Sequence, residues 1–243
     1  GEAADYRYKA NSSGIYVFNY NYQHNKELKL QFWNYYFDDL MNTIWLQADY
    51  RPQSWIFGLQ YVHQMAGLRQ KDLEFKEQYY HPGEQTHVLN AKLGYQLGQL
   101  ELTANYLKVF EGGRFLFPRE LGRENFYVST PRNWVDGFGD VQIYDLSVRY
   151  YNKVGKYWDR IDLRFQYVDA PAITDYENNK YKNPSLYQTT LDARFKFENW
   201  LDQSDLRILV IWKHSPDFFE YTLEQSFYKS DLLHYKMIFN YNF

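Results

Sequence analysis

HYKMIFNYNF, residues 234–243, decides the fold. Counted back from the last residue, Phe243, Tyr241, Phe239, Met237, Tyr235 and Leu233 fall on one face of an extended strand. Asn242, Asn240, Ile238, Lys236 and His234 fall on the other. One face is greasy and the other mostly wet, the pattern of a strand with different surroundings on its two sides.

The same two-residue rhythm recurs upstream. In residues 186–197, Tyr187, Leu191, Ala193, Phe195 and Phe197 oppose Gln188, Thr190, Asp192, Arg194 and Lys196. In residues 160–167, Ile161, Leu163, Phe165 and Tyr167 oppose Arg160, Asp162, Arg164 and Gln166. Further copies lie at 14–23, 27–37, 42–51, 54–63, 86–97, 99–109, 141–152 and 205–213. The pattern predicts eleven strands of about ten residues each, the length a tilted strand needs to cross a bilayer.

Composition agrees. The 243 residues include 26 Tyr, 18 Phe and 7 Trp, yet the mean hydropathy is only -0.69. The longest apolar run, 208–212, is far short of the roughly 20 residues of a membrane helix. The absence of Cys fits an envelope protein, and no secretory leader precedes the first strand, so an exported form is expected to be mature or trimmed. The net charge of -3 brings no basic stripe of the kind a nucleic-acid binder carries. No Pro-, Gly- or Ser-rich linker divides the chain, so residues 1–243 are read as one domain.

The connections alternate in length. Residues 23–26, 51–54, 97–99, 152–157 and 199–204 are tight links. Residues 64–85, 110–140, 168–185 and 214–231 are long and polar, with 37–42 a short member of that set. Short turns on one rim and long loops on the other are the arrangement of an outer-membrane barrel, and a soluble sandwich has no reason to sort its loops so. Aromatic girdles are expected at each rim, with Tyr22, Tyr95, Tyr150, Tyr151, Trp158, Trp200 and Tyr241 at the tight-turn end. The competing reading is a soluble domain whose aromatic face is wholly buried.

The last strand resembles the carboxy-terminal signature of bacterial outer-membrane proteins, which ends on an aromatic residue read by the insertion machinery; Phe243 occupies that place. Two longer stretches, WNYYFDDLMNTIWLQADY (33–50) and LGRENFYVSTPRNWVDGFGDVQIYDLSVRYY (121–151), resemble the OprD family of outer-membrane porins. In that family a long loop returns to the wall through a Gly-rich segment like Asp136-Gly137-Phe138-Gly139-Asp140. The resemblance implies eighteen strands, a basic ladder guiding carboxylated nutrients, and a location in the outer membrane of a Gram-negative bacterium. Single-chain barrels have an even strand number with both termini at the periplasmic rim. The eleven strands are therefore expected to be the last part of an eighteen-stranded barrel. The alternative is a narrower, substrate-specific channel of twelve strands, with Tyr6–Lys9 as a vestigial strand.

The inward face suggests the function. Alternation places Lys29, Lys92, Arg149, Arg160, Arg164, Arg194, Lys196, Arg207, Lys213 and Lys236 inside, against Asp49, Glu101, Asp145, Asp162, Asp192 and Glu198. Arg149, Arg160, Arg164, Arg194 and Arg207 come from consecutive strands and are expected to form a ladder, joined by Lys196 and Lys213, that favours small anionic or carboxylate-bearing solutes. The plainer reading is that these charges pair across neighbouring strands, Asp162 with Arg194 for example. The loop 110–140 carries Arg114, Arg119, Arg123 and Arg132, a candidate constriction if it folds inward. A surface loop is the expectation.

An enzyme is not expected. Barrel lipases and proteases need Ser, His and acids together at the outer rim, and the His here are scattered, with only His81 and His87 near one loop. No metal or phosphate motif occurs, and no cofactor is called for. The expected partners are outer-membrane lipid and lipopolysaccharide, small-molecule solutes and the insertion machinery. A homotrimer and a monomer both fit the sequence.

Overall fold

The computed structural model describes residues 12–118, 121–152, 158–197, 204–216 and 231–241. It contains eleven strands: β1 (Ile15–Gln23), β2 (Leu28–Phe37), β3 (Met41–Tyr50), β4 (Trp55–Ala66), β5 (Gln85–Leu97), β6 (Leu100–Val109), β7 (Gln142–Tyr151), β8 (Arg160–Asp169), β9 (Leu186–Lys196), β10 (Ser204–His214) and β11 (Leu232–Tyr241). Every strand foreseen from the alternation is present, with ends shifted by three residues at most. Each pairs antiparallel with its sequence neighbours, so the sheet order is the chain order. The sheet is open: among the described residues no ladder joins β1 to β11. Tyr6–Lys9, Trp200, Glu198, Arg119 and Phe243 lie outside the described residues.

The pleat sorts the side chains as expected. Leu233, Tyr235, Met237, Phe239 and Tyr241 are exposed on the outer face of β11, as are Leu146 on β7, Phe165 on β8 and Leu191 on β9. Near the long-loop rim the outer face carries a row of directly opposed tyrosines. Tyr106, Tyr144, Tyr167 and Tyr187 stand on β6 to β9 with successive ring centroids 5.2, 6.3 and 4.8 Å apart. Toward the tight-turn rim, Trp55 meets Tyr95 at 5.0 Å and Tyr150 meets Trp158 at 5.2 Å. Along β9 the step from Tyr187 to Phe195 covers about 27 Å, or about 20 Å along the normal at a tilt near 40°, close to the apolar band of a barrel. Tyr151 departs from the expected girdle: its OH lies 3.2 Å from Arg149 Nη1 on the inner face.

The inner face is not uniformly wet. Val62, Val88, Leu107, Ile143, Val168 and Leu186 point inward at the long-loop end and are buried in one apolar cluster. What buries them is the connection between β6 and β7.

Candidate functional site

The described residues of the long segment between Val109 and Gln142 pack onto the inner face, so the expectation of a surface loop is overturned. The physical reason lies in its own sequence, which supplies Phe115, Phe117, Phe126, Val128, Val135 and Phe138 to the cluster on the wall. Trp45 of β3 stacks on Phe126 at 4.4 Å, and Phe126 meets Phe115 edge-on at 5.1 Å. Six apolar side chains left on a surface loop would forgo about 1.5–3 kcal/mol each. The Gly-rich return segment closes the fold: Phe115 bridges Phe138, and Gly137 donates its N–H to the Phe115 carbonyl at 2.7 Å. Gly137 has a φ of 94°, and a Cβ there would sit 2.3 Å from the Tyr181 ring. No other residue fits.

A loop buried against a sheet must satisfy its own backbone. Inward-pointing amides do this. Gln64 of β4 makes a reciprocal pair with Leu116, donating to its carbonyl at 2.8 Å and accepting its N–H at 3.0 Å. Gln60 donates to the Asn125 carbonyl at 2.9 Å, and Asn90 of β5 accepts the Tyr127 N–H at 2.7 Å. Gln166 of β8 donates to the Val128 carbonyl at 2.6 Å, and Gln188 of β9 donates to Thr130 Oγ1 at 2.9 Å. Sequence reading passed over these amides as generic polar positions. Their signal is carboxamides at inward sites near the long-loop ends of four strands.

Toward the tight turns the inner face changes to charge. Tyr127, at the tip of the loop, donates to Asp49 at 2.8 Å, its ring lies under Lys92 Nζ at 3.9 Å, and the missing side chain of Gly58 makes room for it. Below this point Arg149 bridges two carboxylates, Asp162 at 2.5 Å and Glu101 at 3.1 Å. Arg160 lies 2.8 Å from Asp162, close enough to attract but at an angle that makes no hydrogen bond. Arg164 pairs with the fully buried carboxylate of Asp145 at 2.5 Å and also donates to the loop carbonyls of Tyr127 and Ser129. Arg207 grips Asp192 with two bonds, of 2.8 and 2.5 Å.

The expected ladder thus takes a different form. Arg160, Arg194 and Arg207 do align, directly opposite one another across β8, β9 and β10. Arg149 and Arg164 occupy other rows and are matched by acids. The suggested Asp162–Arg194 pair is absent because Arg149 and Arg160 take that carboxylate, and Arg194 has no carboxylate partner among the described residues. Lys196 stands 3.3 Å from Asp159. Lys213 is buried and donates to the Arg132 carbonyl.

Among the described residues, Arg114, Arg123 and Arg132 of the loop serve packing. Arg123 lies over the Trp134 ring at 4.9 Å. Arg132, with a φ of 70°, and Lys213 border a cavity of about 130 Å3 beside Trp134, Phe138, Tyr181 and Asn183. Arg114 is 4% exposed at a junction of three loops, where Glu84 accepts its N–H and lies 3.6 Å from its Nε. Lys180 reaches the same junction and donates to the Tyr79 carbonyl at 3.0 Å. Burial, and then the Arg114 charge, push the His81 imidazole from 6.5 down to about 4. Burial pushes the Glu124 carboxyl, which accepts the Val135 N–H at 2.8 Å, up from 4.5 to about 7. His81 and His87 do not form a pair: His81 stacks on Phe75, while His87 is on the outer face of β5. Among the described residues no three His, Cys, Asp or Glu gather as metal ligands.

No protein-family model matches this sequence, and no curated protein sequence matches it. Solved structures do match. OpdO of Pseudomonas aeruginosa superposes with a TM-score of 0.70 at 11% identity, covering 93% of this chain and 56% of its own. OccK10 (OpdN) of the same organism gives 0.72 at 12%, covering 95% and 61%. P. aeruginosa OpdK with vanillate gives 0.66 at 11%, covering 96% and 56%. The chain therefore spans 56–61% of the length of these structures. The neighbours are porins of the OprD/Occ family, and at this identity the likeness is one of fold: the eleven strands have the wall architecture of those outer-membrane channels.

Proposed function

We propose that this chain forms the wall of an outer-membrane porin of the OprD/Occ kind and carries small polar solutes with a preference for anions and carboxylates. Supporting the channel is the coexistence of an outer face of exposed apolar and aromatic side chains with an inner face of charge. Hydrocarbon outside and water inside suit both. The free edges of β1 and β11 would leave backbone groups unpaired in lipid, so further strands close the cylinder. The inward loop argues for a narrow, substrate-specific passage over a wide one.

The observation that carries the anion preference is the row Arg160, Arg194, Arg207. Like charges directly opposite one another repel. Arg149, Arg160, Arg164 and Arg207 each contact Glu101, Asp145, Asp162 or Asp192, whereas Arg194, between two other guanidiniums, contacts no carboxylate among the described residues. A passing carboxylate relieves that repulsion and finds a planar donor fork. The test is ion selectivity in planar bilayers. Arg194→Gln is expected to lower the chloride-to-potassium permeability ratio while leaving single-channel conductance within about twofold. An unchanged ratio refutes the preference; no conductance from the natural protein refutes the channel.

A further inference from the structure

The outer wall bears a constellation that a channel does not need. On β4 and β5, near the long-loop rim, the girdle consists of imidazoles rather than phenols. His63 and His87 are directly opposite, stacked with ring centroids 4.5 Å apart and Nδ1 atoms 3.2 Å apart. The Tyr61 hydroxyl lies 2.8 Å from His87 Nδ1. From Tyr61 toward the tight turns, the outward side chains of β1 to β4 leave a groove of about 540 Å3. Its walls include Tyr20, Leu30, Leu46, Leu59 and Tyr61, and the small side chain of Ala48 lets it sink into the sheet. Tyr61 belongs to both features.

We propose that this groove and the imidazole pair together dock one molecule of lipid A, with an acyl chain along the groove and a phosphate on His63 and His87. The inference rests on the channel reading in one respect, that the long-loop rim faces the cell exterior and the outer leaflet. The chemistry is complementary. Two Nδ1 atoms facing each other share a single proton, which leaves an Nε2–H on one ring to donate to a phosphate monoester, whose several oxygens accept. At the edge of a low-dielectric layer such a pairing is stronger than in water. Lys108, the nearby outward cation of β6, is held by Asp140 at 2.5 Å, which leaves the headgroup to the imidazoles. The groove alone does not select a lipid, because any acyl chain is as apolar as its walls. Selection comes from shape and phosphate together.

The natural protein purified in detergent is titrated with lipid A, with dephosphorylated lipid A and with phosphatidylethanolamine, and bound lipid is counted by native mass spectrometry. Lipid A is expected to be retained at about tenfold lower concentration than the other two. His63→Leu/His87→Leu removes that advantage, and Ala48→Phe, which fills the groove, reduces lipid A retention. Both variants keep wild-type conductance, which also shows that they fold. Equal retention of the three lipids, or undiminished retention by either variant, overturns the proposal. Loss of conductance in the wild type would sink the channel reading and leave the lipid result standing.

Discussion

Along β8 the inward side chains change character within nine residues. Val168 and Gln166, near the long loops, are buried beneath the folded-in segment, whereas Arg164, Asp162 and Arg160, toward the tight turns, keep part of their charge in solvent. The alternation is the same throughout. What differs is the second solvent of the inner face, which is protein in one half and water in the other. In the protein-filled half the polar groups, mostly carboxamides with Thr86 and Lys213 among them, satisfy a neighbouring backbone; in the solvent-exposed half most are ions that satisfy one another, Arg194 excepted.

Four measurements test that division, in falling order of effect. Phe115→Ala removes a fully buried ring from the filled half and is expected to cost about 3–5 kcal/mol of loop docking, which in the proposed channel is seen as a higher single-channel conductance. Conductance equal to wild type would mean that the loop does not narrow the passage. Arg164→Gln strands the carboxylate of Asp145, whose side chain has no exposure, and is expected to cost about 3 kcal/mol in denaturant unfolding. Arg207→Gln breaks a pair whose arginine is 32% exposed, so solvent screening holds its effect below about 1 kcal/mol. A larger loss from Arg207→Gln than from Arg164→Gln would mean that burial of the carboxylate does not set the strength of these pairs.

The fourth measurement uses pH. His81 has its folded value lowered from 6.5 to about 4, so its contribution to the 67–84 loop is present above pH 6.5 and is lost as pH falls toward 4. Glu124 has its folded value raised from 4.5 to about 7, so its contribution to the inward loop is present below pH 4.5 and is lost as pH rises through 7. Between pH 4.5 and 6.5, rising pH is expected to slow amide exchange in residues 67–84 and to speed it in residues 121–139, after correction for intrinsic rates. Both segments moving together would remove these two groups as the cause.

Much of the site was legible residue by residue but not as an arrangement. Alternation puts Arg160, Arg194 and Arg207 on one face, but their alignment in one row depends on the register between β8, β9 and β10. The acids that occupy Arg149, Arg164 and Arg207 were also counted inside, yet which acid meets which arginine is fixed by side-chain reach across the ladder. The imidazole pair on the outer wall was missed because His63 and His87 are 24 residues apart and become neighbours only through strand pairing.

By itself the sequence determined the eleven strands, the outward face and the sorting of short turns from long loops. Each of these follows from a period of two and from local turn chemistry, which operate within about ten residues. Tertiary structure decided that residues 111–118 and 121–141 fold inward, because that choice rests on contacts such as Gln64 with Leu116 and Tyr127 with Asp49, 52 and 78 residues apart. No local pattern records whether a loop's apolar side chains will find a wall to cover. Only the curvature and register of the assembled sheet supply one.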